Sequence, residues 1–316
     1  MCVPDRVVTN KDYEKIVDTS DEWITSRTGI KERHHVDDGT ATSDLAIVAA
    51  RRALEHARMT PKDIGAIIVA TATPDMLFPS TSCLVQRGIE AGNVMCFDLG
   101  AGCTGFVYAL GVADSLIKTG LDNILVIGAE CLTRITDFQD RSTCVLFGDG
   151  AGAVVLKKTD ESNRGIIASY FGADGSAGEF LYMPAGGSRM PASHETVDQR
   201  LHFLKMEGNE VFKLAVRAMQ DASVKVLKLA KMDPKEVDLL IAHQANLRII
   251  DAAAKRLKLT DDKVFVNLDR YGNTSSASIP IALREALDQG RVKRGSNLLL
   301  VAFGSGFTWG SVLLTW

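Results

Sequence analysis

Cysteine is the most reactive side chain this sequence offers, and six occur, at positions 2, 83, 96, 103, 131 and 144. No pair is spaced Cys-x-x-Cys and no Cys/His set has zinc spacing, so no metal site is expected. Five of the six read as small buried hydrophobes. Cys103 has a different context. It follows an apolar, strand-like run at 94–98 and a Gly-Ala-Gly turn, and it opens a helical pattern at 104–118. A helix N-terminus carries about half a positive charge, which favours a thiolate and lowers the thiol pKa. Gly100, Gly102 and Gly105 permit a sharp turn and a close substrate approach. Small-Gly-Cys-x-Gly is thus a nucleophile elbow written with cysteine.

His243 closes the apolar run 237–242, just before a helix start at Asn246. In open α/β sheets, ligands sit at such carboxyl ends of strands. Asn273 is linked to Cys103 by an internal duplication. PKDIGAIIVAT at 61–71 aligns without a gap on PKEVDLLIAHQ at 234–244. VMCFDL at 94–99 precedes Ala-Gly-Cys-Thr, as VFVNLD at 264–269 precedes Tyr-Gly-Asn-Thr. NILVIGAE at 123–130 matches NLLLVAFGS at 297–305. Three blocks in one order predict two copied halves about a pseudo-twofold axis. Half 1–162 carries the cysteine and half 163–316 carries His243 and Asn273. The symmetry gathers these three residues at one site. It lays Gly304-Ser305-Gly306 beside them, where backbone N–H groups would hold an oxyanion. The strand 165–171 of the second half finds no counterpart ahead of Val3, so the first half is expected to lack it.

The elements that must position these residues alternate. Strands are expected at 66–71, 94–98, 123–128, 151–157, 165–171, 237–242, 263–267, 297–302 and 311–316. Helices are expected at 43–57, 104–118, 208–231, 246–257 and 278–289. Several strands are continuously apolar, as strands buried on both faces are. This is an α/β chain of layered helices and sheets. Its 316 residues suffice for two units of about 150 residues. Lys and Arg number 36 against 39 Asp and Glu, so no global basic field exists for nucleic acid. No apolar run reaches the about 18 residues of a membrane span. Residues 1–10 show no apolar signal core, so the thiols are expected to be reduced and cytosolic.

Three further groups stand out. Trp23 and Arg27, four apart on a short helix, offer an aromatic plane and a guanidinium suited to a base and a phosphate. Lys213, Arg217, Arg248, Lys255, Arg256 and Lys258 concentrate positive charge that would suit an acidic partner. Residues 148–152, Gly-Asp-Gly-Ala-Gly, lead into a strand and not a helix, and are expected to be a tight structural turn, not a phosphate loop.

In order, SDEWITSRTGIKERH, DLGAGCTGF, VLFGDGAGAVV, MEGNEVFKLAV, AHQANLRI, YGNTSSASIP and AFGSGFTWGS resemble the β-ketoacyl-acyl-carrier-protein synthase III family over nearly the whole chain. The resemblance implies a thiolase-like, five-layered αβαβα homodimer. It implies decarboxylative condensation of acetyl-CoA, or another acyl-CoA primer, with malonyl-acyl carrier protein, priming type II fatty acid synthesis. No cofactor is needed, since acyl-CoA is a substrate, and no nucleic acid or membrane takes part. The location would be cytoplasmic, with a plastid also compatible. The family's Cys-His-Asn triad falls on Cys103, His243 and Asn273, and its oxyanion donors on Cys103 and Gly306. Coenzyme contacts fall on Thr19, Trp23, Arg27 and Arg141, with Gly208, Phe212, Ala245 and Asn246 lining a tunnel. The carrier-protein segment falls on Gln244, Ala245, Asn246, Leu247 and Arg248, joined by Lys213. Phe78 matches the residue that crosses into a partner's acyl pocket. Ser305 departs from a frequent family glycine, and the family's opening strand and Gly-rich turn have no match before Val3. A cysteine hydrolase built on the same elbow, and a duplicated binding protein with an inert Cys103, are the competing classes.

Overall fold

The computed structural model describes residues 1–161 and 164–316, so the expected boundary at 162/163 lies outside the described residues. The described strands are β1 (Arg6–Thr9), β2 (Glu32–His35), β3 (Ala66–Ala70), β4 (Met95–Leu99), β5 (Ile124–Cys131), β6 (Asp149–Leu156), β7 (Gly165–Ala173), β8 (Leu181–Tyr182), β9 (Lys205–Met206), β10 (Leu239–Ala242), β11 (Asn297–Gly304) and β12 (Thr308–Thr315). The α-helices are α1 (Asn10–Tyr13), α2 (Asp21–Thr28), α3 (Thr42–Ala57), α4 (Thr81–Gly88), α5 (Gly105–Lys118), α6 (His194–Asp198), α7 (Gly208–Ala230), α8 (Leu247–Leu257), α9 (Leu268–Tyr271) and α10 (Ser278–Asp288).

Two four-stranded sheets carry the core, in the orders β4-β3-β5-β6 and β10-β11-β12-β7. In the first, β3 lies parallel to β4 and β5, and β6 is antiparallel to β5. In the second, β10 and β11 are parallel, and β12 is antiparallel to both β11 and β7. The strands β3, β5 and β10 are buried at every position, which explains their unbroken apolar runs. Three apolar clusters separate the layers. One joins α3 and α4 to the outer face of the first sheet. One sandwiches α5 and α10 between the sheets. One joins α7 and α8 to the outer face of the second sheet. The result is the expected five-layered αβαβα arrangement.

The central layer is thin because the sheets present glycine to it. A Cβ on Gly152 would lie 2.7 Å from Pro280 Cβ, so only glycine lets α10 settle on β6. This corrects the reading of 148–152 as a turn: β6 begins at Asp149, and Gly150–Gly152 belong to it.

Residues 263–267 are also corrected. They form a 3-10 turn at Asp261–Lys263 and a single parallel bridge between Val264 and Leu240. The chain then leaves the sheet because Asn267 is drawn inward. Its N–H donates to Gln244 Oε1 at 3.0 Å and its amide to Glu285 Oε2 at 2.7 Å. At the other end, the outer edge of β6 is bridged by Cys2, whose N–H and C=O each pair with Ala151 at 2.7 Å. Cys2 holds beside β6 the place that β7 holds beside β12.

Candidate active site

Cys103 lies in the 3-10 turn Gly102–Thr104 between β4 and α5. The turn is pressed against the end of β11: a Cβ on Gly304 would stand 2.7 Å from Cys103 N, and one on Gly102, where φ is +50°, would stand 2.5 Å from Ser305 Oγ. His243 follows β10, its N–H donating to the Val301 carbonyl at 2.8 Å. Asn273 follows α9 and is tied to the first half through its backbone. Its N–H donates to Leu146 O at 2.9 Å, and its carbonyl accepts from Gly148 N at 3.0 Å. All three side chains line one cavity of about 270 Å³. A second, more open cleft of about 390 Å³, between residues 74–80 and β4, contains none of them.

The electrostatics fix protonation states. Burial pushes the His243 imidazole down to about 3, so the ring is neutral. Its Nδ1 sits 2.7 Å from Ser278 Oγ, and its Nε2 is buried without a partner. The ring packs edge-on to Phe303, with centroids 5.5 Å apart. Asn273 Oδ1 accepts from the Ser275 N–H at 2.9 Å, which assigns the amide orientation. Ser275 itself adopts φ +47°, a strained conformation for a residue with a side chain.

The Cys103 thiol differs from expectation. Burial, with a smaller contribution from the charge of Glu130, pushes it up to about 12, against a weaker opposing pull from the Ser275 hydroxyl. A rise from 9.0 to about 12 corresponds to about 4 kcal/mol. A helix terminus supplies at most about 2 kcal/mol. The resting group is therefore the thiol, although it occupies a helix start.

The oxyanion donor is corrected too. Gly304 and Ser305 form the cavity wall, whereas Gly306 is exposed and its carbonyl lies against Gly178. Reciprocal hydrogen bonds of 2.8 Å between Phe307 and Asp174 turn the loop away after Ser305. The Ser305 N lies 3.3 Å from where a Cβ on Gly102 would stand, one residue before Cys103.

Gly208, Phe212, Ala245 and Asn246 line the same cavity, as expected. Asn246 also caps α8, accepting from the Arg248 N–H at 2.9 Å, and donates to the Arg27 carbonyl at 3.0 Å. That bond ties α2 to the cavity-lining Asn246, although no α2 residue lines the cavity itself. On α2, the Trp23 ring carries Arg27 and Arg141, with guanidinium carbons 5.0 and 4.7 Å from its centroid. Thr19 Oγ1 is buried nearby in sequence without a partner.

Lys213 and Arg248 are exposed, and Arg248 lies 5.0 Å over the Phe212 ring. Leu247 packs on Gly29 and is half-buried. Gln244, expected in the docking segment, is only 1% exposed. Its amide donates to the carbonyls of Ala242 and Phe265 and accepts from Asn267, so the side chain is a strut and not a docking contact. Phe78 is 83% exposed and does not line this cavity.

Sequence reasoning missed Glu130. It is fully buried and accepts from Ala72 N, Thr73 Oγ1 and Ser276 Oγ at 3.0, 2.6 and 2.9 Å. It joins the loop after β3 to the segment after Asn273. Its place in GAE at the end of a repeat strand, opposite the loop of Gly304, was the only signal.

Comparison with known proteins places this geometry. The family model described as 3-oxoacyl-[acyl-carrier-protein (ACP)] synthase III matches residues 97–175, and the model of its C terminal matches 227–316. The β-ketoacyl-[acyl-carrier-protein] synthase III of Caldanaerobacter subterraneus subsp. tengcongensis is 58% identical over 99% of this chain and 95% of its own. That of Clostridioides difficile is 50% identical over 99% and 95%. Among solved structures, the 3-oxoacyl-[acyl-carrier-protein] synthase III of Aquifex aeolicus VF5 superposes with a TM-score of 0.92 at 50% identity, covering 100% of this chain and 97% of that one.

Proposed function

The chain belongs to the 3-oxoacyl-[acyl-carrier-protein] synthase III family, and from that premise we propose how its cavity performs the condensation of an acyl-CoA primer with malonyl-acyl carrier protein. The observation that carries the reading is one cavity lined by a nucleophile and two neutral side chains able to donate, Cys103, His243 and Asn273.

In the first half-reaction the Cys103 sulfur attacks the primer's thioester carbonyl. The bond to the coenzyme sulfur breaks, and the thiol proton leaves with the coenzyme. The exchange is proton-neutral, so a resting thiol is compatible with it. The N–H groups of Cys103 and Ser305, both on the cavity wall, would hold the tetrahedral oxyanion. In the second, the malonyl thioester oxygen lies between His243 Nε2 and the Asn273 amide. The bond to the carboxylate breaks, carbon dioxide leaves, and the electron pair moves onto that oxygen as an enolate. Neutral donors match a charge that exists only after this step, so they stabilise the transition state more than the substrate. The enolate carbon then attacks the acyl-Cys103 carbonyl, the C–S bond breaks, and the Cys103 thiolate takes a proton from water. A hydrolase reading is disfavoured because Nδ1 of His243 meets a serine hydroxyl and no carboxylate.

The primer enters past Trp23. Arg141, held to Asp18 only at 3.7 Å and exposed, swings off the ring to admit a base between them. The exposed Lys213, Arg217 and Arg248 receive the acidic carrier protein. A homodimer completes the acyl end of the cavity: Met76, Leu77 and Phe78 form an exposed apolar loop, and β4 has no partner on its outer edge among the described residues. No helix of the described residues is long and apolar enough to cross a membrane, and the six cysteines are free, which supports a cytoplasmic location. Mass spectrometry after incubation with acetyl-CoA tests the assignment. An acetyl group on Cys103 that malonyl-carrier protein converts to acetoacetyl-carrier protein is expected; no adduct, or one that only hydrolyses, contradicts it.

A further inference from the structure

Ser278 is the first residue of α10 and is 2% exposed. Its Oγ has two hydrogen-bond partners among the described residues. One is His243 Nδ1 at 2.7 Å, and the other is the backbone N–H of Gln244 at 3.4 Å. The Gln244 N–H is a donor in any state, so the hydroxyl accepts from it. The hydroxyl has one proton of its own, and the lone pair of Nδ1 is the acceptor within reach. The reverse arrangement, with Nδ1–H donating to Ser278, would leave a buried hydroxyl proton with no acceptor, which native interiors avoid.

We propose that Ser278 is a positioning residue that donates to His243 Nδ1 and thereby fixes the tautomer with its proton on Nε2, the nitrogen that faces the substrate. This rests on the assignment of His243 as a donor to the malonyl thioester oxygen. A neutral imidazole carries one proton, and only the Nε2–H form offers a donor to that oxygen; the Nδ1–H form would present a lone pair and repel the enolate. The ring is kept neutral by its burial. The start of α10, whose first residue touches it, opposes protonation further, since its positive end disfavours an imidazolium. The assignment also separates the two half-reactions. With Nε2 already protonated, His243 is not the acceptor of the Cys103 proton, which departs with the coenzyme. Asn273 and His243 are then matched donors, each oriented by its rear atom: Asn273 by the Ser275 N–H on Oδ1, His243 by the Ser278 hydroxyl on Nδ1.

The test begins with the native protein labelled with 15N in its histidine rings, the His243 signal identified by its loss in His243→Gln. The expected spectrum shows Nε2 bearing the proton and Nδ1 bare. A proton on Nδ1 would overturn the proposal without any reference to activity. The second arm measures the half-reactions separately. Ser278→Ala should lower malonyl-carrier-protein decarboxylation by about 10- to 100-fold, below the about 10²- to 10³-fold loss of an oxyanion donor itself, while acetylation of Cys103 by acetyl-CoA stays within about twofold. Ser278→Thr, which keeps the hydroxyl, should recover most of the loss. Decarboxylation at the native rate in Ser278→Ala would also overturn the proposal. If instead His243→Gln keeps native decarboxylation, the donor role of His243 fails, and the spectrum still reports the tautomer independently.

Discussion

The Ser275 N–H donates to Asn273 Oδ1 at 2.9 Å, leaving the amide's N–H₂ for the cavity. This local turn, closed by a residue at φ +47°, converts a symmetric-looking side chain into a one-sided donor. Asn273→Asp keeps the shape and the acceptor but removes the donors and adds charge. Malonyl decarboxylation should fall by at least about 10²-fold while acetylation of Cys103 persists. Single-turnover assays of each half-reaction check this.

Burial of the Cys103 thiol has a kinetic signature. With its pKa pushed up to about 12, the thiolate fraction rises about tenfold per pH unit throughout the accessible range. The rate of alkylation of Cys103 by iodoacetamide should therefore climb from pH 6 to 9 with no plateau. A plateau near pH 7 would mean the helix terminus outweighs burial.

His243 has the opposite sign. Burial holds its pKa at about 3, below the usual 6.5, so the neutral form persists as pH falls. Malonyl decarboxylation should show no break near pH 6.5 and lose His243's contribution only on approaching pH 3. A break at 6.5 in the pH profile would show a solvated, ordinary histidine.

Gly304 touches the nucleophile turn directly. A methyl group there would stand 2.7 Å from Cys103 N, so backbone must move. Gly304→Ala should cost about 1–3 kcal/mol of stability by overpacking and slow acetylation, both measurable by denaturant titration and single-turnover acylation.

Arg248 is exposed at the start of α8, and its charge should act on the carrier protein alone. Arg248→Glu should raise the KM for malonyl-carrier protein by about tenfold and leave acetylation by acetyl-CoA unchanged.

Cys103 and His243 were legible because each stands just beyond an apolar strand, and Asn273 because the repeated blocks align it with Cys103. What was not legible depends on long-range packing. The sequence shows Cys103 at a helix start but not the burial that outweighs it. It cannot tell Ser305 from Gly306, because the choice is made by pairing of Phe307 with Asp174. Gln244 reads as a surface amide until Ala242, Phe265 and Asn267 are seen to consume it. The apolar pattern of 263–267 is that of a strand, yet Asn267 pulls the chain out of the sheet. Ser278 and Glu130 lie in ordinary contexts, and only their partners give them meaning.

The division of labour between the nucleophile and the two donors is the central claim. Its most direct measurement is the pair of half-reactions in His243→Ala, each followed separately. Acetylation of Cys103 from acetyl-CoA should proceed near the native rate, and carbon dioxide release from malonyl-carrier protein should fall by at least about 10²-fold. Loss of acetylation with decarboxylation intact would contradict the account.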